Sequence, residues 1–342
     1  MTTRRTFLAL VLCALALVPC GCLEVSLETR VHADGSLERS ETVTGDSAEA
    51  AQFGFLSPVD STWSVSLRRG GGNTFARVAG KRFAATETFN AALGDTDAQT
   101  LPVTAALERK FLWFYTDLEY RELYRRWNPF AVVPVSAYLP AADIARAMRE
   151  SGGDSAKAAA DSAAREKFSR RWTEWMYRDM FEAWYGELMR GVATLGDPRL
   201  APQAIASRKE EIYESGRAWW ASPGATDTLS RLVGAAVGNP RVERAIQANA
   251  AGFARHRERL ARVARVMGKL KRVGIAMPGT LVETNAPTLD GASGVWKGVA
   301  EMSYAADYEL RISSRIVNWW CVGFTGLVIL AAVVMLFRAR AG

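Results

Sequence analysis

Cysteine is nearly missing from the part of this chain that would fold. Among 342 residues there are four, Cys13, Cys20, Cys22 and Cys321, and none lies between residues 23 and 315. A disulfide framework and a thiolate metal site are therefore excluded for the body. Histidine is scarcer still. His32 and His256 stand far apart, which argues against a histidine metal site or a catalytic triad and leaves only an Asp/Glu site open. No HExxH, CxxC, GxSxG or GxxxxGK[ST] pattern occurs. The Gly70-Gly71-Gly72 run precedes no helix pattern and reads as a loop between strands rather than a phosphate cradle. Strong charge of one sign is also lacking. Arg4, Arg5, Arg338 and Arg340 lie in the two flanks, and what remains is 39 Lys and Arg against 36 Asp and Glu, a net +3. That is not the charge of a nucleic-acid-binding surface, and no cofactor is called for.

What is present sits first at the ends. Ile316 to Phe337 is 22 residues without a charge, about 33 Å as a helix and long enough to cross a bilayer core. Trp319 and Trp320 stand where an interfacial anchor belongs, and Arg338 and Arg340 follow the other end. At the N-terminus, Arg4 and Arg5 precede a short apolar region, Phe7 to Val18, which is the pattern of an export signal over 1–22. It closes on Pro19-Cys20-Gly21-Cys22, similar to a bacterial lipoprotein signal in which Cys22 becomes the lipidated N-terminus. Pro19 departs from the aliphatic residue usual there. Cleavage near Ala14-Leu15-Ala16, or retention as an uncleaved anchor, are the alternatives. Thr3-Arg4-Arg5-Thr6-Phe7-Leu8 fits both a twin-arginine motif and a general signal. The positive residues after the apolar span predict a cytoplasmic tail at 338–342 and a body outside the membrane.

Residues 23–135 read mainly as strand. Leu23, Val25 and Leu27 alternate with polar residues, Asp34-Gly35 turns the chain, and Leu37–Val43 returns. Strands are expected at Trp63–Arg68, at Thr74–Val78 and in the first half of Lys110–Tyr124, with Arg121–Trp127 turning helical. Pro129, Pro134 and Pro140 punctuate a change of composition. Helices are expected near 141–150, 155–193, 200–220, 225–237 and 241–270, broken at Gly152-Gly153, Gly196-Asp197-Pro198, Ser222-Pro223-Gly224 and Gly238-Asn239-Pro240. Val242, Ile246, Asn249, Phe253, His256, Leu260, Val263, Met267 and Leu270 form a heptad seam in the last of these, with a basic surface that either is solvated or lies near anionic headgroups. His256 on that seam reads as a packed side chain.

The long helix carries Phe168, Trp172, Trp175, Met176, Trp184 and Leu188 on one face, and Tyr177, Phe181 and Tyr185 on another. Two readings fit: a core helix sandwiched on several sides, or an aromatic groove for a ligand or partner made by Trp172, Trp175, Tyr177, Phe181, Trp184 and Tyr185. Glu174, Arg178 and Glu182 form an ion-pair ladder rather than a carboxylate dyad. Strands return at Val273–Ala276, Thr280–Thr284, Gly294–Val299 and Asp307–Ile316, the last leading into the membrane helix.

Met277-Pro278-Gly279-Thr280-Leu281-Val282-Glu283-Thr284-Asn285-Ala286, followed by Asp290-Gly291 and Val295-Trp296, resembles the signature of LppM-type bacterial lipoproteins. The opening Cys22-Leu23-Glu24-Val25 with Asp34-Gly35-Ser36 is similar to their start. The resemblance covers 23–45 and 273–337 and implies an envelope-anchored domain of helix and sheet, without catalytic residues.

The expected fold is α+β. A membrane-proximal β-rich domain is built from 23–135 and 273–315, an all-α block at 141–270 interrupts it, and one transmembrane helix, 316–337, follows. The expected partners are membrane lipids and another envelope protein, not nucleic acid. Three functions fit: a non-catalytic interaction or scaffolding protein, a binding module for a lipid, glycan or other amphiphile, and a carboxylate-dependent enzyme.

Overall fold

The structure is a computed structural model. It describes residues 23–46, 53–70, 74–94, 101–140, 142–144, 158–221 and 233–341. The signal segment with Cys22, the glycines Gly71 and Gly72, the breaks at Gly152-Gly153 and Ser222-Pro223-Gly224, and most of the expected helices 141–150 and 225–237 lie outside the described residues.

In chain order the first stretch gives β1 (Glu24–Val31), β2 (Leu37–Asp46), β3 (Ser64–Arg69), β4 (Thr74–Phe83), helix α1 (Thr86–Leu93), β5 (Val103–Leu112) and β6 (Tyr115–Tyr124). Helices follow as α2 (Ala158–Leu195), α3 (Pro202–Ala206), α4 (Lys209–Ala221), α5 (Val242–Ala248) and α6 (Ala250–Val266). The last stretch is β7 (Leu270–Ala276), β8 (Thr280–Thr284), β9 (Thr288–Asp290), β10 (Ser293–Trp296), α7 (Val299–Ala305), β11 (Tyr308–Val317) and α8 (Trp319–Ala341). The chain thus carries both helices and sheets. It divides into two compact units, one made of the residues up to Arg125 and from Val266 onward, the other of Arg126–Arg265.

The first unit holds two sheets. Seven strands run in the order β3-β4-β2-β1-β7-β10-β9, and four in the order β5-β6-β11-β8. The β1–β2 hairpin follows from the alternation of Leu23–Val31 and the Asp34-Gly35 turn, where Gly35 has positive φ. Strand β1 pairs in parallel with β7, Leu27 opposite Val273 and Thr29 opposite Ile275, so the two ends of the sequence share one sheet. Its inward face buries Val25, Leu27, Val31, Leu37, Val43, Val273 and Ile275; the four-stranded sheet buries Leu118, Tyr120, Tyr124, Leu310 and Ile312.

Several expectations change here. Arg121–Tyr124 is not helical. Tyr120, Glu122 and Tyr124 alternate inward and are paired on both sides, Tyr124 with Val103 and with Tyr308. Strand β10 stops at Trp296, because Gly298 in left-handed conformation (φ 70) turns the chain into α7. The helix expected to span the membrane starts at Trp319 rather than Ile316: Ile316 and Val317 are still strand, opposite Thr116 and Tyr115. Arg338 and Arg340 lie in the last turn of that helix.

The residues of the 277–296 motif have structural reasons. Gly279 has φ +80 and lies so close to the Arg315 carbonyl that a Cβ would collide with it. The Asn285 side chain accepts from the Trp296 indole (3.2 Å) and from the Arg311 N–H (2.8 Å), and donates to the Glu309 carbonyl (2.9 Å). It thereby ties β10 of one sheet to β11 of the other.

In the second unit α2 is the central element, 38 residues long. Phe181, Trp184, Leu188 and Val192 on it pack with Ile205 of α3, Ile212 and Tyr213 of α4, Val242 and Ala245 of α5, and Phe253 of α6. The expected helix 200–220 is two helices, α3 and α4. The expected helix 241–270 is also interrupted, at Asn249, and Leu270 already belongs to β7. Asn249 spends its side-chain amide on Glu187, donating to the backbone carbonyl (2.9 Å) and to the carboxylate (2.8 Å) of α2, so the heptad seam is broken where its polar residue lies. The unit begins at Arg126, earlier than the composition change, because Asp179 of α2 holds the 128–133 loop. Buried Asp179 accepts from Asn128 Nδ2 (3.0 Å) and from the N–H groups of Ala131 (3.2 Å), Val132 (2.7 Å) and Val133 (2.7 Å).

Candidate functional site

Two groups of side chains in the first unit stand out from an ordinary core, one inside and one on its surface. Inside, β2 points the alternate residues Leu37, Arg39, Glu41 and Val43 inward, so two charges are carried into the apolar layer. Arg39 is 1% exposed and Glu122, from β6 of the other sheet, is 0% exposed. The guanidinium meets the carboxylate at 3.1 Å. Glu122 also accepts from Thr29 Oγ1 (2.5 Å), Tyr120 (3.0 Å) and Tyr124 (2.8 Å), while Arg39 donates to Thr29 Oγ1 (2.6 Å) and Tyr124 (2.9 Å) and has the Phe89 ring of α1 6.0 Å away. Burial pushes both tyrosines above their ordinary range, with the Glu122 carboxylate adding to the rise and the Arg39 guanidinium opposing it, so they stay protonated donors.

Glu41 is the second inward carboxylate. Burial raises its pKa, and the N–H groups of Leu56 and Ser57 that it accepts from offset part of that rise. Each inward acid is thus saturated by the fold.

The opposite, solvent-facing side of the seven-stranded sheet carries two shallow grooves that share Glu28, Glu38 and Ser40. One, about 260 Å³, continues over Arg30, Arg272, Gly274, Ala276, Asp290 and Ser293. The other, about 650 Å³, continues over Thr42, Ser64, Ser66, Val78, Gly80 and Arg82. Small and hydroxylated residues leave the floor low, and paired charges line it, Arg272 with Glu28 (3.3 Å) and with Asp290 (3.7 Å). Sequence reasoning singled out neither group. The available signal was charge in the apolar phase of a strand, Arg39 and Glu41 between Leu37 and Val43, and Glu122 between Tyr120 and Tyr124.

The six aromatics of the proposed groove are placed otherwise. Trp172, Trp175, Phe181, Trp184 and Tyr185 are all buried, and Tyr177 is half-buried against the same core. The Trp175 indole donates to the Val133 carbonyl (3.0 Å). They are a helix face filled from several sides, and the groove expected from them is filled by protein. Arg178 pairs with Glu182 (2.9 Å), one rung of the expected ladder, and with Glu210 of α4 (2.6 Å) on a second helix. His256 lies against Phe130, ring centroids 5.2 Å apart, with neither ring nitrogen hydrogen-bonded. Burial, and then Arg259, lower its pKa to about 4.

Trp319 and Trp320 are exposed at the start of α8, which is long and apolar enough to cross a membrane over Trp319–Arg340, with almost none of it covered by protein. Among the described residues no group of His, Cys, Asp and Glu could hold a metal ion. Comparison of the chain with models of protein families, with characterised proteins and with solved structures finds no match.

Proposed function

We propose that this protein is a cell-envelope lipoprotein, acylated at Cys22 and held by α8, whose body stands on the outer face of the cytoplasmic membrane as a non-catalytic interaction or scaffolding protein. In this reading the sheet unit is the membrane-proximal domain and the helical unit is an insertion into it, in keeping with the resemblance to LppM-type lipoproteins. The observation that carries the function is the grooved polar face of the seven-stranded sheet, open to solvent and lined by hydroxyls and paired charges. Such a face suits a polar partner surface better than an amphiphile, and the aromatics of α2 that would have made an amphiphile groove are spent in the core. An enzyme is disfavoured by the saturation of Glu41 and Glu122.

Topology is tested with protease on intact spheroplasts. The body should be digested from outside, and complete protection until lysis would refute the orientation. The interaction is tested with a photo-crosslinking residue at Ser40 or Ser66, with Glu87 on α1 as an exposed control. A discrete protein adduct from the sheet positions and none from position 87 is expected. The same adducts from all three, or none from any, would overturn the assignment of this face.

A further inference from the structure

The β5–β6 hairpin ends in Phe111-Leu112-Trp113-Phe114-Tyr115, five large apolar or aromatic residues of which every one is 40–54% exposed. A soluble hairpin tip would carry turn formers and charge. Here the charges stop short of the tip. Lys110 lies opposite Asp117 in the ladder, and Asp117 is paired with Arg315 at 2.7 Å.

The tip is fastened to the first turns of α8. Trp113 donates its indole N–H to Thr325 Oγ1 at 3.0 Å, Phe111 stacks on Trp320 with centroids 6.1 Å apart, and Phe324 meets Trp113 edge-on at 6.3 Å. Asn318, between β11 and α8, closes the turn: its N–H donates to the Phe114 carbonyl (2.8 Å), its side-chain amide donates to the Trp113 carbonyl (2.9 Å), and its Oδ1 accepts from Thr116 (2.9 Å). The turn carbonyls that a hairpin normally leaves to water are therefore satisfied within the protein, which is what a segment entering hydrocarbon requires.

Length then sets the depth. Trp319 to Phe337 is 19 residues, about 28 Å of helix against a hydrocarbon core of about 30 Å. There is no slack to slide α8 outward, because that would draw Arg338 and Arg340 into the core. Thr325 is six residues beyond Trp319, about 9 Å along the axis and past the headgroup boundary. The indole bonded to it lies at the same level.

We infer that the Phe111–Tyr115 hairpin tip is a second membrane contact of this protein, inserted beside α8 in the outer leaflet and bounded on the water side by Lys110 and the Asp117–Arg315 pair. The inference rests on the reading of α8 as a membrane span. Two points of attachment, a hairpin and a helix joined through Asn318, fix the tilt of the sheet unit over the bilayer where a helix alone would leave it free to swing.

The test uses the full chain, with Cys13→Ala, Cys20→Ala, Cys22→Ala and Cys321→Ala, in phosphatidylcholine–phosphatidylglycerol vesicles whose acyl chains are brominated at a shallow or a deep carbon. An environment-sensitive fluorophore is attached through Leu112→Cys, Leu330→Cys or Arg68→Cys, all at exposed positions. The label at 330 should lose most emission with deep bromines, that at 112 with shallow bromines and with a blue-shifted maximum, and that at 68 with neither. Quenching at 330 with a water-like, unquenched label at 112 would overturn the hairpin contact and leave the span standing. No quenching at 330 would overturn the span, and the hairpin contact with it.

Discussion

The buried pair Arg39–Glu122 gives the sharpest test of what holds the two sheets together. At 3.1 Å and an effective dielectric near 20, the gross attraction is about 5 kcal/mol. Desolvating each ion costs several kcal/mol, so the intact pair contributes little net relative to a well-packed apolar replacement. Breaking it is another matter. Arg39→Met leaves the Glu122 carboxylate with only the hydroxyls of Thr29, Tyr120 and Tyr124 and should cost about 3–5 kcal/mol. Glu122→Gln strands the guanidinium, whose Nε already lacks a partner, and should cost a similar amount. The double variant Arg39→Met/Glu122→Met should recover most of the loss, giving a coupling energy of about 3 kcal/mol or more. Denaturant midpoints of the detergent-solubilised full chain, read by protease sensitivity of the sheet unit at matched m-values, measure all four states. Single variants within about 1 kcal/mol of wild type, or a double variant as unstable as the sum of the singles, would refute the account.

Three further outcomes are expected. In the helical unit, unfolded His256 takes up a proton near pH 6.5, whereas the folded ring does so only near pH 4. Stability from this site is therefore complete above pH 6.5 and falls by about 3 kcal/mol as the pH drops to 4. Hydrogen exchange of α6 should show that loss, and His256→Phe should flatten it. Asp179→Ala removes the acceptor for the Ala131, Val132 and Val133 N–H groups and should destabilise the unit by about 2–4 kcal/mol, with exchange accelerated across 128–133 first; unchanged exchange there would count against the cap. Gly279→Ala forces a Cβ into a position with φ +80 against the Arg315 carbonyl and should cost more than about 1 kcal/mol, visible as a lowered denaturant midpoint of the sheet unit.

By itself the sequence determined what depends only on neighbours along the chain. The uncharged run before Arg338 specifies a long apolar helix because length and composition suffice. The alternation of Leu23–Val31 with the Asp34-Gly35 turn specifies a hairpin because period and turn chemistry are local. The shortage of Cys and His left the body without the residues of a disulfide framework or a thiolate site. Tertiary structure decided the rest. Periodicity states that Phe181 and Trp184 lie on an apolar face, but not whether ligand or protein covers it, and α3 to α6 provide the cover. Arg121–Tyr124 is strand because β5 and β11 pair with it on both sides, which no local propensity encodes. Asn249 breaks a continuous heptad pattern because Glu187, 62 residues earlier, takes its amide. Arg39 and Glu122 are 83 residues apart, and the phase of either strand alone marks a charge on the apolar side without showing what neutralises it. Their burial becomes tolerable only when the two sheets bring opposite charges and three hydroxyls to one point, and that is a property of the packed layers, not of either strand.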